Sequence, residues 1–368
     1  MDIRTLNSTL NSEEFHLGRL SLRSKPRYVL VELTQGCNLS CEMCRNSRIP
    51  VGARRMPKEL FDRIAEDLFP TAEIVDLRGW GESLLLPDIA LFIRRVAESG
   101  AAMRFVSNLS FHRPEVLQLL TEYHSYVAVS VDTADAALLR RLRGGARLDL
   151  IKRNLAELVA GYIRRWGSAE RLSIGCTVQR PALEGVFGVV ELAAEVGIPH
   201  LRLFAVEVPD EDELSLEGQQ EAIASALVRV VETAKRLGLA VSAGTCLGDV
   251  IPPPTPVRPC LRYWSSATVS YTGLVGFCDH LIGPLTEVEA LGSLRTESFE
   301  ALWNGPLIQS LRAGALQNAA ECRKCRTKRH IEFEDLFEPD LARERQWLSP
   351  PSPSGLNREL GDVETSRG

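Results

Sequence analysis

The chain is poor in histidine and has no long apolar run. Six histidines occur in 368 residues, none of them between residues 17 and 111, so a metal site in that stretch must draw on other ligands. No apolar stretch approaches the roughly 20 residues that cross a bilayer, and the opening MDIRTLNSTLNSEEF lacks the apolar core of a secretion signal. Positive charge is not in excess: 43 Lys and Arg stand against 48 Asp and Glu, for a net charge of −5. That composition argues against a nucleic-acid partner or a membrane surface. The expectation is a cytoplasmic chain without nucleic acid or membrane. A reducing compartment disfavours disulfides, so nine cysteines, an odd number, read as metal-binding or redox groups.

Length allows a barrel-sized domain and a smaller one. Residues 1–25 are polar and read as an irregular extension packed loosely on the rest. From Pro26, short apolar runs at Tyr28–Leu33, Ile74–Leu77, Met103–Val106, Tyr126–Val131, Leu172–Val178 and His200–Val206 read as strands. Segments of helical period lie between them, at Lys58–Leu68, Asp88–Glu98, Pro114–Glu122, Leu148–Arg164 and Leu183–Glu195, and a long helix is expected at Leu216–Leu237. Strands alternating with helices predict an α/β fold, a partial (β/α)6 barrel over residues 26–250, with chemistry at the C-terminal strand ends. The proline-rich IPPPTPVRP of Ile251–Pro259 predicts a boundary. A small C-terminal domain then covers residues 251–335, and residues 336–368, ending Pro/Ser-rich, read as a disordered tail.

Seven cysteines fall in two sets. Cys37, Cys41 and Cys44 stand in TQGCNLSCEMC, directly after the first strand. Three thiolates in one tight loop suit three irons of a cubane and leave the fourth open to a ligand; zinc normally takes four protein ligands, or three with a histidine nearby. This Cys-x3-Cys-x2-Cys run resembles the signature of the radical S-adenosylmethionine superfamily, over roughly residues 26–240. The resemblance implies a [4Fe–4S] cluster that cleaves S-adenosylmethionine to a carbon radical, with electrons from a flavodoxin- or ferredoxin-type donor. It places Met43 near the adenine, where the family has an aromatic residue, and Gly79, Gly81 and Glu82 of GWGES around the methionine ammonium, with Ser83 in place of the usual proline. Ser107 and Asn108 follow as polar contacts after the third strand. Ser130 and Arg143 would bind the cofactor carboxylate.

The second set is Cys260, Cys278, Cys322 and Cys325. Four thiolates closing on a Cys-x2-Cys pair suit a zinc site or a fully ligated cluster, and spacing alone leaves both open. The stretch from LGSLRTESFEALW to CRKC resembles the extension of superfamily members with auxiliary clusters, and the cysteines that follow in the full version are missing here. That implies the truncated form with one auxiliary [4Fe–4S] cluster. Its spacing is similar to that of the aminocyclitol-oxidising 2-deoxy-scyllo-inosamine dehydrogenase group, implying oxidation of a small sugar-like alcohol to a ketone. Cys176 and Cys246 remain. Either is a candidate hydrogen-atom donor, which would make the enzyme an epimerase, or simply a small apolar residue. Two further readings of the cysteine pattern stay open, a ribosomal-peptide maturase and a zinc-stabilised binding or scaffold protein. Gln179, Arg180, Arg202, Glu207 and Asp279 are candidate substrate contacts.

Overall fold

The computed structural model describes residues 2–44, 49–243, 260–278 and 290–317. Cys246, Asp279, Cys322, Cys325 and the expected tail lie outside the described residues.

Among the described residues, ten strands form a single sheet: β1 Tyr28–Val31, β2 Ile74–Asp76, β3 Ala102–Ser107, β4 Tyr126–Ser130, β5 Leu172–Val178, β6 His200–Ala205, β7 Ala240–Ala243, β8 Ser266–Val269, β9 Leu274–Gly276 and β10 Gly292–Ser293, in the order β10-β9-β8-β1-β2-β3-β4-β5-β6-β7. From β1 to β7 every neighbour pair is parallel. All six expected strands form, and the helices Lys58–Leu68 and Pro114–Glu122 have the expected bounds. Among the helices that the sequence does not predict is the short Ala136–Leu142; Asp135 caps it by accepting from Ala137 N and Leu138 N.

The proline-rich stretch divides the sequence but not the sheet. β8 pairs in parallel with β1, Tyr28 opposite Ser266 and Val31 opposite Val269, and β9 and β10 continue antiparallel beyond it. The C-terminal segment thereby extends the first edge of the barrel.

Alternation gives the sheet two unlike faces. Val29, Val75, Phe105, Val129, Ile174 and Leu203 join the helix residues Phe61, Phe92, Leu155 and Val190 in the main core. Residues of the opposite face stay partly exposed along β3, β5 and β6, including Arg104, Gly175, Thr177 and Arg202. A parallel sheet normally has both faces covered; here one face is left as the wall of a chamber.

The N-terminal extension is not irregular. Ile3–His16 is a helix whose buried residues are Asn7, Asn11 and Glu14. Asn11 donates to Ser24 Oγ at 2.9 Å and to Trp264 O at 2.8 Å, and Glu14 accepts from Arg23 N and Ser24 N. A helix docked by hydrogen bonds shows no apolar stripe, which is why its sequence reads as a loose polar leader. No helix among the described residues is long and apolar enough to cross a membrane.

Candidate active site

The cysteine loop leaves β1 at its C-terminal end and is tied down on three sides. Cys37 N donates to Ile49 O at 2.9 Å, Glu42 N to Leu142 O at 3.0 Å and Ser40 N to Gly144 O at 3.3 Å. Gly144, at φ +47°, lies so close that a Cβ there would sit 2.2 Å from Ser40 O. The segment after the helix Ala136–Leu142 thus clamps the loop that carries the thiols.

The GWGES loop packs on the same turn. Glu82 N donates to Gly36 O at 2.9 Å, and a Cβ at Gly81 would approach Gly36 O and Thr34 O to 2.6 Å, which only glycine avoids. Gly79 lies against the Glu32 side chain. Ser83 opens a short 3-10 turn, Ser83–Leu85, capped by Glu82, so the loop is held without a proline.

Glu82 is 3% exposed. Its Oε1 accepts from Ser107 Oγ at 3.0 Å and Leu84 N at 3.3 Å, its Oε2 from Asn108 N at 2.8 Å. Burial, only partly offset by these donors, pushes its pKa up to about 7. An ionised carboxylate has about four acceptor sites, so one remains on Oε2, where a cationic donor would restore full charge. Asn108 Nδ2 also reaches Asn38 Oδ1 at 3.0 Å and Cys37 Sγ at 3.7 Å. Ser107 and Asn108 therefore join Glu82 to the first thiol.

Arg143 is buried and forks onto Asp132, Nε to Oδ2 at 2.7 Å and Nη2 to Oδ1 at 2.6 Å. Burial opposes its charge, but the Asp132 pair outweighs that and holds the guanidinium protonated. Asp132 also accepts from Thr177 N at 2.9 Å and Gln179 Nε2 at 3.2 Å, joining β4 to β5. Two of the five N–H groups expected for the cofactor carboxylate are thus committed to a protein carboxylate. Ser130 ends β4, half-buried and opposite Gly175. Met43 packs with Leu142, Ala182, Val206 and Leu214 beyond the ends of β5 and β6. Asp132 and Glu32, both fully buried, were missed as organising residues; the available signal was an acidic residue breaking an apolar strand run.

The three thiols suit an iron–sulfur cluster. Burial pushes Cys37 up to about 12 and raises Cys41, and each feels its neighbouring cysteines. As bare thiolates they would be costly; a cationic metal core deprotonates coordinating thiols and removes that cost. The described members of the second set, Cys260 and Cys278, are split by the topology from the first set. Because β8 runs parallel to β1 and β9 antiparallel, half-buried Cys260 and buried Cys278 flank the end of the hairpin opposite the Cys37 loop. Leu261 packs there on Tyr28, Leu30 and Ile74 of the chamber face. The chamber face of the sheet runs between the Cys37 loop and this described pair, Cys260 and Cys278.

Cys176 sits on the other face. Its thiol, fully buried, donates to Asp132 O at 3.5 Å and packs in the main core with Ile174 and Val178, while Gly175 and Thr177 are turned toward the chamber.

Comparison with known proteins agrees with this geometry. Residues 31–170 match the radical SAM superfamily, and residues 260–326 match the SPASM iron–sulfur cluster-binding domain. The AdoMet-dependent heme synthase of Methanosarcina barkeri is 26% identical, covering 87% of this chain and 97% of that protein. The mycofactocin maturase MftC of Mycobacterium tuberculosis is 30% identical over a shorter region, 35% of this chain and 33% of that protein. Among solved structures, Streptococcus suis SuiB bound to S-adenosylmethionine superposes with a TM-score of 0.66 at 16% identity, over 84% of this chain and 72% of that one. The fold and the cofactors, a [4Fe–4S] cluster with S-adenosylmethionine and auxiliary iron–sulfur binding, are those expected, and the zinc-scaffold reading falls. The chain carries a radical SAM domain, with a SPASM iron–sulfur domain completing its sheet.

Proposed function

We propose that this enzyme is an oxidase-type radical enzyme, a dehydrogenase, which removes hydrogen from a substrate carbon and does not return it. The observation that carries this reading is Cys176: its thiol is sealed in the core behind β5 and engaged with Asp132 O. A hydrogen donor has to reach the radical it quenches, and this thiol faces away from the chamber. When bound, the clusters and S-adenosylmethionine would supply a carbon-centred radical and an electron acceptor. For an alcohol the balance is a C–H hydrogen atom lost to that radical, one electron to the acceptor and the hydroxyl proton to solvent, leaving a carbonyl.

The chain's own residues position these parts. Glu82 presents its remaining acceptor site to the methionine ammonium, with Ser107 and Asn108 fixing its carboxylate. Ser130 and the outer N–H groups of Arg143 stand at the neighbouring strand end for the cofactor carboxylate. Met43 offers an apolar contact for the adenine.

The aminocyclitol substrate rests on cysteine spacing. The relatives carry other names, a heme synthase and a maturase, so the scaffold alone does not select a substrate. Oxidation is tested by turnover in deuterated water. The expected product has lost two hydrogens, has no solvent deuterium at a retained C–H, and forms unchanged in Cys176→Ala. One deuterium at an inverted carbon, lost in Cys176→Ala or in Cys246→Ala, would establish epimerisation instead.

A further inference from the structure

One large apolar side chain stands open on an interior strand. On β6, Leu201 and Leu203 join the main core under the helices, so alternation turns Phe204 to the chamber face. Phe204 is 40% exposed, although β6 lies between β5 and β7 in the sheet. The strand register fixes its surroundings. Phe204 stands opposite Thr177 of β5, but its ring leans back along the sheet toward Gly175. Among the described residues outside its own stretch of chain, a Cβ at Gly175 would meet only Phe204 Cε2, at 3.7 Å. Gly175 is not among the residues of positive φ, so backbone conformation does not require a glycine there. A glycine inside a strand weakens it and often marks a place where a ligand comes close to the backbone. Here its missing side chain leaves a recess beside the ring. Ser130, the proposed contact of the cofactor carboxylate, stands opposite Gly175 on the other side, on β4. Two residues beyond Phe204, Val206 packs with Leu142 and Met43 behind the cysteine loop. Ring and recess thus adjoin the S-adenosylmethionine end of the chamber through neighbouring strands.

We propose that Phe204 contacts the substrate, and that the substrate is a hydroxylated ring whose flat apolar face lies on Phe204 while its edge enters the recess at Gly175. This rests on the radical-oxidase reading and names the substrate class of that site. An aromatic side chain offers a large, stiff apolar surface, and small-molecule sites combine such surfaces with a few polar groups that fix orientation. The half-buried Thr177, opposite Phe204, supplies a hydroxyl at the edge of the ring, able to donate or accept. An apolar shelf with a hydroxyl at its rim matches a ring with an apolar face and a polar edge better than an open chain, which would leave the shelf partly uncovered. That chemistry is shared by a cyclitol and by the phenol ring of a tyrosine side chain.

Binding is measured by calorimetry on the anaerobically reconstituted enzyme with S-adenosylmethionine but no reductant, so that no turnover occurs. The probes are the aminocyclitol 2-deoxystreptamine, N-acetyltyrosinamide and the open-chain polyol ribitol. At least one ring compound should bind more tightly than ribitol. Its affinity should fall about tenfold in Phe204→Ala, as expected when an aromatic anchor is truncated, and stay near the native value in Phe204→Tyr, which keeps the ring. Gly175→Val, which fills the recess, should weaken the same binding. Both Phe204 variants should keep the native affinity for S-adenosylmethionine, and circular dichroism checks all three folds. A response to 2-deoxystreptamine alone assigns a cyclitol, to N-acetyltyrosinamide alone an aromatic side chain. The proposal is overturned if neither ring compound binds, if ribitol binds as tightly as either, or if Phe204→Ala binds the ring as tightly as the native enzyme. Because nothing is oxidised in this experiment, its failure leaves the oxidase reading to stand or fall on product analysis.

Discussion

Arg143 and Asp132, both buried, meet through two hydrogen bonds of 2.6 and 2.7 Å between the cysteine loop and β5. The pair connects the clamp on the thiols to the strand that walls the chamber.

Removing one member of this pair strands a buried charge. Asp132→Ala should lower the stability of the cluster-free chain by about 3–5 kcal/mol. The double variant Asp132→Leu/Arg143→Met should recover much of that loss. Urea unfolding measures both; a loss below about 1 kcal/mol in the single variant, within the range of exposed pairs, would show that the pair is not energetically buried.

Glu82 makes stability depend on pH in a direction opposite to that of a salt-bridged carboxylate. Its pKa is raised by burial from 4.5 to about 7 in the folded chain, so the folded state holds the proton more tightly. The associated stability is complete below pH 4.5 and lost as pH rises through about 7. Glu82→Gln, permanently neutral, should flatten that slope in the cofactor-free chain. It should also weaken S-adenosylmethionine binding by about 1.5–3 kcal/mol, through loss of a charge-assisted contact. An unchanged pH slope together with unchanged cofactor affinity would leave Glu82 with loop packing alone.

The cysteine sets should be separable. Alanine at Cys37, Cys41 and Cys44 together should abolish reductive cleavage of S-adenosylmethionine while the auxiliary iron remains. Alanine at Cys322 and Cys325 should do the reverse, leaving cleavage competence and roughly halving the iron, since each cubane carries its own thiolates. Iron, sulfide and zinc analysis after anaerobic preparation reads both results. A fall in zinc rather than iron in the second variant would make that site structural and remove the electron acceptor.

The N-terminal helix should be part of the stable fold. Asn11→Ala leaves Trp264 O and Ser24 Oγ without their donor in a buried place, at a cost of about 1–3 kcal/mol. Guanidinium unfolding of this variant tests the docking; a neutral result would return the helix to the status of a loose extension.

The barrel was legible because its information is local. Runs such as Leu172–Val178 alternate, with Ile174, Cys176 and Val178 in the core and Thr177 outside, and the first cysteine set fits within one loop. Periodicity said nothing about β8, whose partner β1 is most of the chain away; strand period fixes a face, not a neighbour. The Ile3–His16 helix was missed because its docking face is Asn and Glu rather than Leu. Arg143 was assigned by position along the chain, whereas Asp132, which takes up its fork, becomes visible only once β4 and β5 stand side by side.

The pairing of β8 with β1 sets an order of assembly. During synthesis β1 acquires β2 early, but its other edge has no partner until Ser266–Val269 emerges. For most of translation the nascent barrel carries an open strand edge formed by the apolar Tyr28–Val31, the kind of template on which chains pair with one another. The same edge leads straight into the thiol loop at Cys37. A chain terminated at the proline-rich stretch would therefore be a self-associating species rather than a small soluble radical domain, and iron loading of the first site would be most secure once β8 had covered the free edge of β1.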